Sequence, residues 1–248
     1  MQFKLEICVD SIESAVSAQS AGADRIELCD SLVEGGTTPS TGMISTVRSN
    51  LDIALHVMIR PRGSDFLYSD IEYDIMRRDI EVCGESGVDG VVFGILLQDG
   101  NIDIEHTARL IEMARPMSVT FHRAFDMCRD PFRGLEDVIT TGADRLLSSG
   151  QKDKAIDGCG VLTLMTGKAG GKIIIMPGGG IDESNIEDIA RSTGASEFHL
   201  TARKTIPTAM QYKKPGISMG GINSIDEFSR KVADGKAISN IIEILKLI

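Results

Sequence analysis

The sequence predicts an α/β fold closed as a single (β/α)8 TIM barrel, and three observations carry that expectation. Strand-like and helix-like segments alternate from end to end. A short block recurs: Gly22-Ala23-Asp24-Arg25-Ile26 returns as Gly142-Ala143-Asp144-Arg145-Leu146, with looser copies at Gly87-Val88-Asp89-Gly90-Val91 and Gly194-Ala195-Ser196-Glu197-Phe198. The length, 248 residues, matches the roughly 250 of one such barrel. Each block ends a helix at a residue that tolerates the left-handed conformation and then launches a strand, the rhythm of stacked β-α-β-α units.

Taken in order, Leu5 to Asp10 reads as strand one, and Ser11 caps a helix to Gln19. Arg25 to Asp30 is strand two, followed by a Gly/Thr/Pro loop and a helix from about Gly42. Ala54 to Ile59 is strand three, and Ser69 to Glu85 a strong helix. Gly90 to Leu96 and Ser118 to Phe125 are strands four and five, separated by a helix from Asp103 to Arg115. A helix from Pro131 leads to strand six, Arg145 to Ser149, and Lys154 to Lys168 is a weaker helix or loop. Lys172 to Met176, a helix from Glu183 to Ser192, and Glu197 to Thr201 complete eight strands. Asp226 to Leu247 closes the chain as helix. No Pro- or Ser-rich linker divides residues 1–248, so one domain is expected, with 203–248 as a C-terminal loop and closing helix. An open doubly wound sheet is the alternative, but it usually carries Gly-x-Gly-x-x-Gly after strand one, and here Val9-Asp10-Ser11 follows.

Strand side chains alternate between faces. Leu5, Ile7 and Val9, with Ile26, Leu28, Leu55, Val57, Ile59, Val119, Phe121, Phe198 and Leu200, form apolar sets that pack on helices. That leaves Glu6, Cys8 and Asp10, Glu27 and Cys29, His56, Met58 and Arg60, Thr120 and His122, and His199 and Thr201 facing the axis. Barrel interiors are ordinarily filled by Val, Ile and Leu. Charge buried here must pair with itself or hold a ligand. Both readings are open, a self-satisfied polar network and a site at the C-terminal mouth. Met58 and Met176 read as barrel filling, and His106 as a helix-surface residue without a role.

Composition bounds the partners. Lys plus Arg is 26 and Asp plus Glu is 36, a net charge of −10, which argues against a phosphate backbone or an anionic membrane surface. No apolar run reaches the ~18 residues of a membrane span. The start, Met1-Gln2-Phe3-Lys4-Leu5-Glu6, lacks a signal-type apolar stretch, so a cytoplasmic chain is expected. The five cysteines form no Cys-x-x-Cys pair, which disfavours a structural zinc or thioredoxin-like site.

Three chemistries fit the inward residues. Gly178-Gly179-Gly180 after strand seven lets backbone N–H groups approach an anion, and Arg60, Arg62 and Arg123 supply charge for a small anionic or phosphorylated metabolite. Cys8 and Cys29, each two residues beyond an inward glutamate on neighbouring strands, suit a soft ion such as Cu(I). Glu6, Glu27, His56, His122 and His199, with Arg60, Arg123 and Asp126 at the mouth, form a candidate catalytic acid–base set. The three strand histidines are also a possible zinc set, depending on geometry. No Gly-x-Ser-x-Gly or His-Glu-x-x-His is present, which argues against those hydrolase and zincin classes. A plain scaffold barrel is the third class.

Several longer stretches are distinctive: Glu6-Ile7-Cys8-Val9-Asp10-Ser11, Gly22 to Cys29, Glu34-Gly35-Gly36-Thr37-Thr38-Pro39-Ser40, Val57-Met58-Ile59-Arg60-Pro61-Arg62-Gly63, Phe66-Leu67-Tyr68-Ser69, Thr120-Phe121-His122-Arg123-Ala124-Phe125-Asp126, Met176 to Gly180, and Glu197-Phe198-His199. Through them the chain resembles the CutC family of copper homeostasis proteins, over most of its length to about residue 203. The resemblance implies a cytoplasmic (β/α)8 barrel that forms a homo-oligomer, dimer or tetramer, and handles copper. The family's proposed Cu(I) thiols fall on Cys8 and Cys29. The resemblance brings no reaction with it, so an enzyme acting at the mouth on a small anion stands beside copper binding.

Overall fold

The computed structural model describes residues 3–214, 216–217 and 226–248. Met1 and Gln2, part of the segment read for a leader, lie outside the described residues, as do positions 215 and 218–225. In chain order the elements are β1 (Lys4–Val9), α1 (Ile12–Ser20), β2 (Arg25–Leu28), α2 (Thr41–Arg48), β3 (Ala54–Met58), α3 (Asp70–Glu85), β4 (Gly90–Phe93), α4 (Ile104–Ala114) and β5 (Ser118–Phe121). There follow α5 (Pro131–Thr141), β6 (Arg145–Ser148), α6 (Cys159–Ala169), β7 (Ile174–Pro177), α7 (Ile186–Thr193), β8 (Glu197–Leu200), β9 (Arg203–Pro207), β10 (Ser229–Ala233) and α8 (Gly235–Lys246). Strands β1 to β8 form one parallel sheet in the order β7-β6-β5-β4-β3-β2-β1-β8. A parallel bridge between Gly178 and His199 brings its two edges together, so the barrel is nearly closed.

Local chemistry explains where the helices begin. The side chains of Ser11, Ser40, Ser69, Asp103, Asp130 and Asp234 each accept a hydrogen bond from a first-turn N–H. Such caps contribute about 1 kcal/mol each. The recurring block has a second function. Asp24, Asp89 and Asp144 pair with Leu5, Leu55 and Val119: each carboxylate accepts the strand N–H at 2.7–2.8 Å. Each aspartate N–H also donates to the carbonyl of that same residue at 2.9–3.0 Å. The repeat therefore ties every even-numbered strand of the first six to the start of its predecessor.

The outward aliphatic sets are buried between sheet and helices, with Ile7, Ile26, Leu28, Leu55, Val57, Val119, Phe121 and Phe198 all at 0% exposure. Fully burying such a side chain stabilises by about 1.5–3 kcal/mol. Gly178 sits where the ring closes. A Cβ there would stand 2.5 Å from Leu147 Cδ1 and 3.1 Å from His199 Cβ. Gly178→Ala is therefore expected to lower the urea midpoint by an amount equivalent to about 1–3 kcal/mol, the usual cost of overpacking.

Three expectations are corrected and one left open is decided. Strand four stops at Phe93 and strand five at Phe121. Residues Arg123–Met127 instead form a 3-10 turn, because His122 Nδ1 caps the Ala124 N–H. Lys154 to Lys168 resolves into a 3-10 turn, Ala155–Gly158, and the true helix α6. The closing segment is not one helix. Ser229–Ala233 pairs antiparallel with Arg203–Pro207 as a ribbon, and Asp234 then starts α8. The ribbon docks on α1 through Ala233 N–H to Ser14 Oγ (3.1 Å). Pairing with so distant a strand leaves no signal within residues 226–233 themselves.

Candidate functional site

The interior is built in layers of charge. At the lower end Arg25 reaches across from β2. Its Nε donates to Glu6, and its Nη2 donates to Glu197 Oε2 at 2.7 Å. Arg145 from β6 joins it, with Nε to Glu197 Oε2 at 2.8 Å and Nη1 to Ser118 Oγ at 2.6 Å. Glu6 is fully buried, Arg25 and Glu197 nearly so. Burial alone would raise the Glu6 carboxyl, but Arg25, His199 and His56 together hold it well below the usual carboxylate range. Arg25, Arg145 and Glu197 were absent from the sequence-derived set. The alternation that selected Glu27 and His199 reaches Arg25 and Glu197 by stepping back two residues.

Above this layer His199 shares a proton with Glu6 (Nδ1 to Oε1, 2.7 Å) and turns Nε2 toward Glu27 (3.8 Å to Oε2). Burial opposes charge on His199, but Glu27, the Cys8 sulfur and Glu6 more than offset it, so its pKa lies well above the usual 6.5. Cys8 Sγ lies 3.7 Å from Cys29 Sγ. The hydrogen bond from Cys29, opposed by burial and aided by His199, brings the Cys8 thiol down to about 5. Cys29 moves the other way, raised by its contact with Cys8 and by burial. Glu27 is pushed well above its usual value by burial and by the neighbouring Cys8 sulfur. The pair is thus unequal, with Cys8 held low and Cys29 held high beside an imidazole whose pKa is raised.

The sulfur meeting does not arise as the spacing suggested. The register sets Cys8 opposite Glu27 and Glu6 opposite Arg25, not thiol opposite thiol. The stagger of strands in a closed barrel brings the two sulfurs together diagonally instead. Met58 from β3 is buried barrel filling, as expected, and shares a small cluster with Cys8, Cys29 and Val92. One ligand atom each from Cys8, Glu27 and His199 also fall within 4.8 Å of one another. The three strand histidines are not brought to a point, and the zinc expectation fails on that geometry. His56 sits over Gly90, with Nδ1 3.8 Å from Glu6, while His122 packs on Phe66.

The mouth is a cavity of about 440 Å³ lined by Cys8, Glu27, Arg60, His122, Arg123, Asp126, Gly179, Gly180 and His199, among others. Glu6, His56 and Cys29 lie outside its lining. Asp126 is saturated: it accepts from Ser148 Oγ (2.6 Å), the Ser149 and Gln151 N–H groups, Ser149 Oγ and Arg123 Nε (2.7 Å). Arg60 is tied to the carbonyls of Glu34, Gly36 and Ser64 at 2.7–2.9 Å, which makes it a clamp on two loops. Arg62 does not line the cavity. Glu72, Asp65 and backbone carbonyls take its donors, and it stacks on Tyr68. Gly178 is occupied by barrel closure, so the part of the glycine run that lines the cavity is Gly179 and Gly180. A larger cleft of about 650 Å³ lies on the outer wall beside Phe3 and Ile242, away from the thiols and imidazoles.

Burial holds His56 at a pKa of about 4, and burial together with Arg60 holds His122 at about 3. Unfolded, both return to the usual 6.5. The unfolded chain therefore binds these protons first on acidification, and stability falls as pH drops from 6.5 toward 4. Cys8, held low, adds to this loss, while Glu27 and His199, both held high, oppose it. The expected loss between pH 7 and pH 5 is roughly 2–4 kcal/mol, at about 1.4 kcal/mol per pH unit for each imidazole. Urea midpoints at the two pH values measure it, and His122→Gln should flatten the dependence. Equal stability at both would contradict the assignment.

A family model described as the CutC family matches residues 3–204. The chain belongs to the CutC family. A CutC family protein of Chromobacterium violaceum is 48% identical over 241 residues, covering 97% of each chain. The human copper homeostasis protein cutC homolog is 46% identical, covering 98% of this chain and 89% of its own. The crystal structure of CutC from Streptococcus agalactiae is 33% identical with a TM-score of 0.77, covering 81% of this chain and 99% of that one. At 12% identity, phosphoribosylanthranilate isomerase from Pyrococcus furiosus superposes with a TM-score of 0.61 over the whole of both chains, a likeness of fold. These CutC relatives support the barrel and the copper homeostasis family expected from the sequence. Among the described residues, no helix is long and apolar enough to cross a membrane.

Proposed function

We propose that this chain serves copper homeostasis in the cytoplasm by binding Cu(I) between Cys8 and Cys29. One observation carries the reading: two thiols on adjacent strands whose sulfurs lie 3.7 Å apart, with Met58 packed against them. The names of the human and mouse relatives support the same role. The donor set fits a soft monovalent ion. With metal–sulfur bonds of about 2.3 Å, sulfurs up to roughly 4.6 Å apart can share one ion, and the observed spacing is shorter. It therefore suits a bent pair completed by a third donor, and the thioether of Met58, clustered with both cysteines, is the soft candidate. Thiolate and thioether select Cu(I) over hard cations.

The surrounding charges have assigned work. His199, held by Glu6, balances the negative charge of the thiolate pair. Glu6 is in turn fixed by Arg25, so the chain Arg25–Glu6–His199 orients the site from below. Cys29 keeps its proton in the free protein and releases it when the ion arrives, so uptake strengthens as pH rises. Anaerobic titration against a chromophoric Cu(I) chelator tests the reading. One equivalent per chain should withstand competition, with proton release in unbuffered solution. Absence of uptake, or uptake untouched by prior alkylation of Cys8 and Cys29, overturns it.

A further inference from the structure

The upper half of the cavity has no part in holding a soft ion. Its volume of about 440 Å³ is that of a small-molecule pocket, for which roughly 300–1,000 Å³ is usual, and far exceeds what an ion needs. Three features there are unpartnered. His122 is 4% exposed, and its Nε2 has no hydrogen-bond partner. Because Nδ1 accepts the Ala124 N–H at 3.2 Å, the ring proton sits on Nε2, which is therefore a buried donor. Arg123 spends Nε on Asp126 and Nη2 on Ser149 Oγ and the Lys152 carbonyl, which leaves Nη1 without a partner among the described residues. That Nη1 lies against Gly179, 3.2 Å from where a Cβ would stand.

Gly179 and Gly180 adopt φ of +107° and +65°, a conformation open to glycine at little cost. Their N–H groups have no partner among the described residues. The Lys154 stem packs on Gly180, 2.9 Å from its would-be Cβ. One arginine with a spare donor and two amides without partners among the described residues thus sit on one rim, with the Lys154 stem packed beside them, in a chain of net charge −10. Of the carboxylates lining the cavity, Asp126 is consumed by its donors, Glu34 accepts from Ser31 Oγ at 3.0 Å, and Glu27 faces His199 Nε2 at 3.8 Å beside the thiols. Between rim and His122 the wall is apolar, with Phe66, Met127 and Ile181.

We propose that this cavity binds a small organic oxyanion, a carboxylate or phosphate, with its charged end on Arg123 and the Gly179–Gly180 amides and an oxygen of its body on His122. The site shares the cavity with the thiol pair but not its donor residues, so the two readings stand or fall separately.

Isothermal titration of the metal-free full chain at fixed ionic strength tests it, with inorganic phosphate, glycerol 3-phosphate and glutarate as probes. At least one organic probe should bind saturably, and the choice between glycerol 3-phosphate and glutarate identifies the anion. Arg123→Gln should weaken that binding about tenfold or more, as loss of a charge-assisted contact does. His122→Phe should weaken the organic probe but leave inorganic phosphate unchanged. Cys8→Ser with Cys29→Ser should bind as the parent does, whatever becomes of copper. Arg123→Lys, which keeps the charge, replaces the Gln variant should the latter melt early. No saturable binding of any probe at millimolar concentration, or a folded Arg123→Gln that binds like the parent, overturns the proposal.

Discussion

Cys8→Ser is expected to lower Cu(I) affinity more than about 100-fold, beyond the 10–100-fold that an outer partner of a metal site typically contributes. A hydroxyl is a poor ligand for a soft ion, and the Cys8 sulfur carries the negative charge of the pair. Cys29→Ser should do comparable damage for a second reason. It removes the donor that lies 3.7 Å from Cys8 and stabilises its thiolate. His199→Asn should fall within the 10–100-fold range, since it removes balancing charge and leaves both sulfurs in place. Cys159→Ser is the control: that thiol is half-buried on α6 and should leave affinity unchanged. Competition titration reads all four. A Cys8→Ser protein that retains parental affinity would show that the ion, if bound, sits elsewhere.

Arg25→Met should be the most destabilising single change in the barrel interior, by about 3–5 kcal/mol, measured by urea unfolding at pH 7. The cost is not the loss of two attractive contacts alone. It leaves Glu6 and Glu197 ionised and buried, with Glu197 falling back on Arg145 and Glu6 on His199. Neutralising the stranded charge should restore part of the loss, so Arg25→Met with Glu6→Gln should be more stable than Arg25→Met alone. Exposed pairs offer the contrast. Glu105 and Arg109 stand one turn apart on α4 with most of their surface in water, and Arg109→Met should cost about 0.5 kcal/mol or less. A double variant less stable than Arg25→Met would mean that Glu6 is held by contacts other than charge pairing.

Much of this architecture was legible along the chain because its causes are local. The alternation of Leu5, Ile7 and Val9 with Glu6 and Cys8 gives the inward face directly. The Gly-Ala-Asp blocks mark strand starts because their glycine ends a helix and their aspartate bonds to the preceding strand. Ser11 and Ser69 announce helices because a cap is a bond between residues three apart. The distinctive stretches around Cys8, Cys29, His122 and Gly178 were enough to point to the family.

What only the tertiary structure decided is relational. Arginines identical in type received opposite roles: Arg123 keeps a free donor at the cavity rim, whereas Arg62 is consumed by Glu72 and Asp65. Cys8 and Cys29 meet across a staggered register that strand spacing alone does not predict, and the β9–β10 ribbon joins segments more than twenty residues apart. The three histidines diverge in pKa, one raised and two lowered, because His199 is hydrogen-bonded to Glu6 beside Glu27 while burial dominates at His56 and His122. A one-dimensional pattern fixes which face a side chain takes. Partners, protonation and free donors depend on how far one strand slides past the next, a quantity set by closure of the whole ring.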